Sequence, residues 1–548
     1  MARTLNETIR ICTDDYLDKI DLDDPPSPVD IEADLVTLVK DTCILENQVR
    51  GKGDMLKAPT KLCPSQIASI MLRLHNIVRV KCGGKNTDPS CDLLAIYQDT
   101  GKDEGIYITD ENVFKRLATQ YNYSISSREL NDVIEMINIH APRVSRTTNR
   151  DLIAVNNGIF NFDTKQLEPF SPEYVFLVKS KVNYNPAATN VVIHNDDDDT
   201  DWDIESWMSD LSDDPEVVEL LWQILSAIVR PFVRWNKSAW FYSSTGNNGK
   251  GTLCELMRSL CGDGSYAAIP LTDFSKEFAL EPLTRATAII VDENDVGSFI
   301  DKAANLKAVI TNDVIPINRK FKIPISYQFY GFMVQCLNEY PRIRDKSDSF
   351  YRRQLFIQFD RCFTGKERKY IKNDYLHREE VLEYVLYKVL HMNFYTLSEP
   401  ASCKTALDEY KEFNDPVRQF LDEMLSEVVW DLLPFGFLYD LYKAWFRKNS
   451  PSGLIQSKNS FINEVLIILN DYPDWYCLGR DREIRPSQRM SKPELLIEMY
   501  NLEDWKNPGY FGGDPNQRCM TKLKTTYRGL LRVESKVRVD NDISDVTS

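Results

Sequence analysis

The sequence has little of what marks an exported, membrane-bound or zinc-binding protein. It contains only five histidines, and none of its twelve cysteines forms a Cys-X-X-Cys pair, so neither a zinc ribbon nor a dense disulfide framework is expected. No run approaches the roughly 20 apolar residues of a membrane-spanning helix. Residues 1–26 turn acidic before a signal-peptide core could form. We therefore expect a cytoplasmic protein with reduced thiols and no membrane partner.

Positive charge is also in deficit. Lys and Arg number 66 against 82 Asp and Glu, a net charge of −16, which excludes a histone-like protein that coats nucleic acid by bulk charge. Two stretches run against this balance. Residues 315–354 carry eight Lys or Arg and three acids, and residues 515–538 carry seven and one. Local basic surfaces that bind DNA are therefore still compatible with the acidic whole.

What the sequence does contain is enough apolar material for several cores. With 43% hydrophobic and 27% charged residues over 548 positions, it is globular, and about 150 residues per domain suggests three or four units. The five carboxylates at 196–201 repel one another, which favours a solvated loop or linker, with a cation site as the alternative. The predicted parts are a poorly defined segment at 1–60, an α+β domain at 61–190, an acidic linker at 191–203, an α/β domain at 204–400 and a mostly helical domain at 401–540.

A candidate phosphate-binding loop follows an apolar strand at 239–242 and precedes an amphipathic helix. Glycines permit the turn, and Lys250 supplies an ammonium at the start of the helix, as the phosphates of a nucleotide require. Ser244 replaces the first glycine of the common motif, Gly251 stands where a hydroxyl usually meets Mg²⁺, and Thr252 comes one position late. A Gly- and Asn-rich surface turn is the alternative. The predicted nucleotide contacts are Thr245, Gly246, Asn247, Asn248, Gly249, Lys250, Gly251 and Thr252.

Polar side chains end two further apolar segments. The buried-strand pattern at 286–291 leads to Asp292 and Glu293, where one carboxylate can hold Mg²⁺ and the other can orient or deprotonate water. Thr252 is a further candidate contact to the metal. The strand at 330–337 ends at Asn338, whose amide could sense the γ-phosphate, although an Asn at a strand end is often only a turn former.

Paired arginines, Arg352 and Arg353, precede another apolar strand. They could be ordinary salt-bridge formers, or one of them could reach the γ-phosphate on a neighbouring subunit. Between the acidic strand and the Asn strand, residues 314–324 place apolar flanks around a basic and aromatic tip. This pattern predicts a hairpin whose Arg319, Lys320 and Lys322 contact a DNA backbone, with a solvated tip as the alternative.

The order of these motifs resembles superfamily 3 helicases, in particular the poxvirus, phage and plasmid primase-helicase branch of mobile-element replication proteins. The resemblance covers roughly residues 100–470. Its motifs are Asn-Gly-Lys-Gly-Thr at 248–252, Val-Asp-Glu-Asn-Asp at 291–295, the basic hairpin, Leu-Asn-Glu-Tyr-Pro at 337–341 and Tyr-Arg-Arg at 351–353, with further likeness at 154–159 and 182–186 upstream and at 415–420 and 442–445 downstream.

This resemblance implies an AAA+-like P-loop ATPase core at 204–400, an α+β N-terminal region and a winged-helix-like DNA-binding domain at 401–540. It also implies ATP and Mg²⁺ as cofactors, a homohexameric ring and single-stranded DNA in its pore. Carried over by residue, Lys250 and Thr252 bind phosphate, Asp292 and Glu293 serve metal and water, Asn338 is the sensor, Arg352 or Arg353 is the trans-acting finger, and Lys320 and Lys322 are pore contacts.

The function expected from the sequence is thus an ATP-dependent replicative DNA helicase or initiator of a phage, plasmid or other mobile element. It would bind origin DNA, rely on a separate primase and act in the bacterial host cytosol if phage-encoded. Two alternatives stay open. One is an origin-binding initiator that uses ATP as a switch without unwinding, and the other is a phosphotransferase similar to nucleoside monophosphate kinases, in which the sequence GKGT also occurs.

Overall fold

A computed structural model describes residues 3–83, 88–295, 297, 299–320, 322–365, 367–449 and 455–533. The chain divides into two compact units, Met1–Leu407 and Asp408–Ser548. Of the predicted C-terminal domain, residues 450–454 and 534–540 lie outside the described ranges. Among the described helices, none combines the length and the apolar character that a bilayer crossing requires.

The N-terminal region starts with two well-capped helices. Thr4 and Glu7 form a reciprocal capping box, and Ser27 caps the next helix ahead of a proline at its first position. Two helices thus occupy much of residues 3–60, where the sequence alone defined no elements, because the caps lie in short polar stretches that look like loops. The elements are α1 (Leu5–Leu17), α2 (Pro28–Asn47), α3 (Pro64–Leu74), β1 (Ile77–Val80), β2 (Leu93–Tyr97), β3 (Tyr107–Ile108), α4 (Glu111–Tyr121), α5 (Ser127–His140) and β4 (Arg143–Val144).

An antiparallel meander and a hairpin follow. They comprise β5 (Leu152–Val155), β6 (Gly158–Asn161), β7 (Gln166–Glu168), β8 (Ile193–Asn195) and β9 (Thr200–Trp202). The acidic run forms the turn of the β8–β9 hairpin, a solvated loop between two short strands. Ile193 and Trp202 are buried in a core shared with the following α/β region, so their burial holds the strands while the carboxylates stay in solvent.

The α/β region that follows contains the candidate site. Its elements are α6 (Ile204–Ser209), α7 (Pro215–Val229), β10 (Ser238–Tyr242), α8 (Lys250–Cys261), β11 (Tyr266–Ala267), β12 (Ala288–Val291), β13 (Phe299–Ile300), α9 (Ala304–Ile310), β14 (Val314–Arg319), β15 (Lys322–Gln328), β16 (Phe332–Leu337), β17 (Arg342–Ile343), α10 (Asp348–Tyr351), β18 (Gln354–Gln358), α11 (Lys369–Asn373), α12 (Glu379–His391) and α13 (Ala401–Phe413).

Five of these strands form one parallel sheet in the order β11-β12-β16-β10-β18. The inner strands β12 and β16 are buried at every position, which is typical of a sheet covered on both faces. Helices α7, α8 and α12 contribute to the core that includes these strands. The predicted α/β class of this region is therefore confirmed.

The second unit is built around an aromatic core and a small antiparallel sheet in the order β19-β21-β20. Rings of Phe420, Tyr442, Trp445 and Phe461 pack together where three helices meet. The elements are α14 (Pro416–Met424), β19 (Leu432–Pro434), α15 (Phe435–Asn449), α16 (Lys458–Ile468), β20 (Trp475–Tyr476), α17 (Leu496–Met499), α18 (Pro515–Arg518) and β21 (Gly529–Arg532).

Candidate nucleotide-binding site

The strand order creates a crevice at one edge of the central sheet. From β10 the chain continues through α8 to β11 at one side, whereas from β16 it continues to β18 on the far side of β10. Connections that leave neighbouring parallel strands in opposite directions open a cleft at the carboxyl ends of the strands. The loop at 243–249 and the residues after Leu337 lie at these two ends.

The 243–249 loop turns back on itself before α8. Thr245 N–H donates to Ser243 Oγ at 3.3 Å, and Asn248 Nδ2 donates to the Thr245 carbonyl at 2.5 Å. Asn247 and Gly249 both have positive φ, of 53° and 86°. The N–H groups of residues 246–249 have no acceptor among the described residues. Such a turn ahead of a helix N-terminus offers donors and a positive dipole to an anion.

Gly249 is required by its surroundings as well as by its backbone. A Cβ at this position would lie 2.6 Å from Leu211 Cδ2, and φ is in the left-handed region. A side chain here would therefore have to strain the backbone and displace Leu211. On the outer side, Asn247 O accepts the Phe363 N–H at 2.7 Å and Asn247 Nδ2 donates to Glu367 Oε1 at 3.0 Å, so the segment after β18 supports the loop.

Lys250 is buried behind the loop, with 5% of its surface exposed. Its Nζ donates to the carbonyl oxygens of Leu337 at 2.8 Å and Ser243 at 3.3 Å, and to Asn338 Oδ1 at 3.0 Å. These three acceptors match the three protons of an ammonium. Burial lowers the pKa of Lys250. The structure thus brings two predicted residues, Lys250 and Asn338, into direct contact.

The two predicted acids differ in their surroundings. Asp292 Oδ1 accepts a hydrogen bond from Arg258 Nη2 of α8 at 2.9 Å, and Arg258 also pairs with Glu255 at 3.2 Å. Burial alone would lower the pKa of Arg258, but the hydrogen bond and charge of Asp292 raise it. Glu293 is exposed and has no partner in the described part of the chain. Asp292 is therefore held, whereas Glu293 is free to turn.

Oxygen ligands for a metal are present but not assembled into a cluster. No group of three or more His, Cys, Asp or Glu side chains within the described residues could hold a metal ion. Thr252 lies in the first turn of α8 with its hydroxyl unbonded to any described residue. Because Mg²⁺ is usually held by one or two carboxylates together with substrate phosphates, Asp292, Glu293 and Thr252 fit a metal that arrives with a nucleotide.

The paired arginines lie at the opposite edge of the sheet. They precede β18, whose first residue pairs with the first residue of β10, whereas Lys250 follows the last. The five residues of β10 span about 13 Å, so neither arginine lies beside Lys250 of its own chain. Arg353 donates to Ser349 through its guanidinium, whereas the exposed side chain of Arg352 has no partner among the described residues.

The predicted hairpin is confirmed as the antiparallel pair β14–β15. Arg319 donates to the Ile323 carbonyl at 3.0 Å, which closes the tip. Lys322 Nζ lies 2.7 Å from Glu111 Oε1 of α4. Lys320 is not free either, since it interacts with another group of the protein. The three predicted DNA contacts therefore share one hairpin end, but Lys322 is paired with an acid in this state.

Three residues important to this geometry were missed from the sequence. Arg258 holds Asp292, and its position two turns into α8 beside an acidic strand end is a signal that could have been used. Asn294 is buried, accepts the Leu271 N–H at 2.9 Å and donates to Gln335 Oε1 at 3.0 Å, so it fixes the chain directly after the acids. Lys372 lies beside Gly251. Nothing in its local sequence pattern indicates that position.

Family models match three separate parts of the chain. Residues 77–213 match a model described as D5 N terminal like, and residues 412–507 match one described as Poxvirus D5 protein-like. Residues 241–353, which contain the site, match a family of unknown function, DUF5906. The predicted resemblance to the poxvirus branch is thereby confirmed, and this chain carries D5-type segments on both sides of the candidate site.

The likeness to solved structures is weaker. An apo structure of the NrS-1 C terminal region (305-718) aligns at 14% identity over 74% of this chain and 89% of that chain, with a TM-score of 0.39. An A form apo structure of the same region aligns at 12% identity over 86% and 100%, with a TM-score of 0.41. These values establish neither a common fold nor a common function. No curated protein matches this chain.

Proposed function

We propose that this chain is an ATP-hydrolysing DNA helicase of a viral, phage or plasmid replication system, working as a ring of identical copies. The observation that carries the proposal is the contact of Lys250 with Asn338 and Leu337 at the switch point of the sheet, beneath a loop of unpaired N–H groups. A buried ammonium, a helix N-terminus and free backbone donors together fit the phosphates of ATP.

In this proposal the 243–252 segment is a P-loop. Backbone N–H groups of 246–249 bind phosphate oxygens, and Lys250 exchanges one of its carbonyl acceptors for a phosphate. Mg²⁺, held by Asp292 and approached by Thr252, would neutralise charge on the terminal phosphates. Because Arg258 already fixes Asp292 Oδ1, that carboxylate is oriented before the nucleotide arrives. Asn338, already bonded to Lys250, would sense the change at the γ-phosphate through that contact.

Glu293 is the proposed base. It follows the metal-holding residue directly, is exposed and has no acid or base partner among the described side chains. It would orient a water molecule and accept its proton as the oxygen attacks the γ-phosphorus and the bond to ADP breaks. Asp292 cannot easily serve this role because Arg258 occupies one of its oxygens.

The finger is assigned to Arg352. Arg353 is tied to Ser349, whereas Arg352 is exposed and without a described partner at the edge away from Lys250. A guanidinium at that edge can reach a γ-phosphate only on another copy of the chain. Repetition of such a head-to-tail contact gives a ring when the rotation closes. The proposed homohexamer follows from this separation together with the family resemblance.

DNA contacts are assigned to two surfaces, one in each unit. Arg319, Lys320 and Lys322 present the hairpin tip to single-stranded DNA. In the second unit, proposed to be winged-helix-like, a bridge between Ile484 and Tyr527 joins two basic segments. Their exposed cations without described acid partners are Arg482, Arg485, Lys522 and Lys524. This surface suits the phosphates of origin duplex.

The proposal is tested with the full chain. Phosphate release from ATP is measured with and without single-stranded DNA, strand displacement is measured on a forked duplex, and mass is measured by light scattering with ATP and DNA. We expect DNA-stimulated hydrolysis, unwinding and a multimer. Formation of ADP from ATP and AMP without DNA would support a kinase instead. Tight binding of duplex with no turnover would support an initiator that uses ATP as a switch.

A further inference from the structure

A second lysine approaches the start of α8 from a different part of the chain. Lys372 belongs to α11, more than a hundred residues after the loop. Outside the adjoining residues and the backbone of α8 itself, Lys372 Nζ is the described atom nearest to the point where a Cβ of Gly251 would stand, at 3.8 Å. The ammonium therefore lies beside the first turn of α8, where the Gly251 N–H has no acceptor among the described residues.

Helix α11 is held in this position by its surroundings. Ile371 is buried in the core that also contains Leu253 and Leu256 of α8. Tyr370 donates its hydroxyl proton to Asp198 Oδ2 at 2.6 Å. Ahead of α11, Glu367 accepts a hydrogen bond from Asn247 of the loop. The placement of Lys372 is therefore set by packing on both sides and not by an ion pair of its own.

Lys372 is half-buried and has no acidic partner among the described residues. Nearby carboxylates are already engaged, since Asp374 pairs with Arg378 and Asp198 accepts from Tyr370. Within the described residues no hydrogen bond or ion pair to the Lys372 side chain exists. A cation at the N-terminus of a helix also opposes the helix dipole. This arrangement becomes favourable once an anion lies between the ammonium and the helix.

A second cation would add to phosphate binding because the ammonium of Lys250 is already fully hydrogen-bonded. All three of its protons are directed at protein oxygens, so binding a phosphate costs it one of these bonds. Lys372 has no such bond to lose. Gly251, the departure from the usual motif, leaves the space between α8 and Lys372 open, whereas the Ser or Thr common at this position would place a hydroxyl there.

We infer that Lys372 is a second phosphate-binding lysine, which contacts the triphosphate of ATP across Gly251. The inference rests on the proposed function and adds a residue that the motif does not contain. Lys372 neutralises part of the phosphate charge at the position where the common motif instead supplies a hydroxyl for Mg²⁺. Nucleotide affinity should consequently depend on Lys372 most strongly when Mg²⁺ is absent.

The test measures binding of fluorescent ATP by anisotropy, in Mg²⁺ and in EDTA, and its displacement by inorganic tripolyphosphate. Lys372→Ala should weaken ATP binding about tenfold in EDTA, as expected for a lost charge-assisted hydrogen bond, and less in Mg²⁺. Tripolyphosphate should lose affinity by a similar factor because the contact is to phosphate. Lys372→Arg should restore most of the affinity, and Lys372→Gln should not.

Lys369→Ala is the matched control, since it removes an exposed lysine from the same helix that is not among the atoms next to Gly251. Unchanged ATP binding in Lys372→Ala, or an equal loss of binding in Lys369→Ala, would overturn the inference about Lys372. In either case, ATP binding by the wild-type chain would leave the proposed function intact. Failure of the wild-type chain to bind ATP at all would overturn both. Thermal melting of each variant checks that it is folded.

Discussion

The two edges of the central sheet are built in opposite ways. At the carboxyl edge two of the charged groups are held by protein, since Lys250 donates to three oxygens and Asp292 pairs with Arg258. At the amino edge Arg352 is exposed and without a described partner. Much of the carboxyl edge is arranged before any ligand arrives, whereas the cation at the amino edge has no partner among the described residues. The proposed function accounts for this difference by a catalytic centre that two copies of the chain share.

The sharpest test of this comparison is to mix two inactive variants, one changed at each edge, and to ask whether activity returns. Lys250→Ala and Arg352→Ala should each reduce hydrolysis about 1,000-fold, the lower range reported for loss of an arginine finger. A 1:1 mixture should recover activity, because about a quarter of randomly formed head-to-tail interfaces would pair an intact Lys250 with an intact Arg352. Phosphate release from the mixture is the measurement. If the mixture were no more active than its components, Lys250 and Arg352 would not act together across an interface between two copies.

Glu293→Gln tests which acid at the carboxyl edge does the chemistry. Loss of a general base should slow hydrolysis by about 100-fold or more, while ATP binding stays close to wild type because the carboxamide keeps the size of the side chain. Single-turnover hydrolysis and fluorescent ATP binding give the two numbers. Asp292→Asn is the comparison variant and should weaken Mg²⁺-dependent binding as well. Normal turnover in Glu293→Gln would move the base elsewhere.

Arg353→Ala tests the neighbour of the free arginine. Because Arg353 is bonded to Ser349, we expect a loss of about 1–2 kcal/mol in the free energy of unfolding and little change in hydrolysis per folded molecule. Urea denaturation and phosphate release give the two quantities. A collapse of hydrolysis in a fully folded Arg353→Ala protein would reassign the finger to Arg353.

The smallest expected effect concerns the hairpin. Glu111→Gln should free Lys322 and raise affinity for single-stranded DNA by about two- to fivefold, because an exposed ion pair contributes at most about 1 kcal/mol. Lys322→Ala should lower unwinding more than basal hydrolysis. Fluorescence anisotropy with a labelled oligonucleotide measures the first effect. Weaker DNA binding in Glu111→Gln would contradict the assignment of Lys322 to DNA.

Parts of the site that depend on local order could be predicted from the sequence, and parts that depend on distant packing could not. A strand, a Gly-rich loop and a helix in succession place Lys250, and parallel strands bring Asn338 to the same edge. Predicting Arg258 as the partner of Asp292 would require knowing which turn of α8 faces β12. Lys372 depends on how α11 packs after β18, which helical periodicity alone does not determine. The helices of residues 1–60 were missed because proline and acidic residues mask their caps.

A short segment of the chain connects the hairpin to the residue that contacts Lys250. Strand β15 ends at Gln328, where Arg146 and the Cys82 carbonyl fasten it to the N-terminal region. The backbone then runs through β16 to Asn338, the residue that grips the buried ammonium. In the proposed function, a force on the hairpin tip and a change at the bound nucleotide would act on the two ends of one short segment, which runs from β15 through β16 to Asn338.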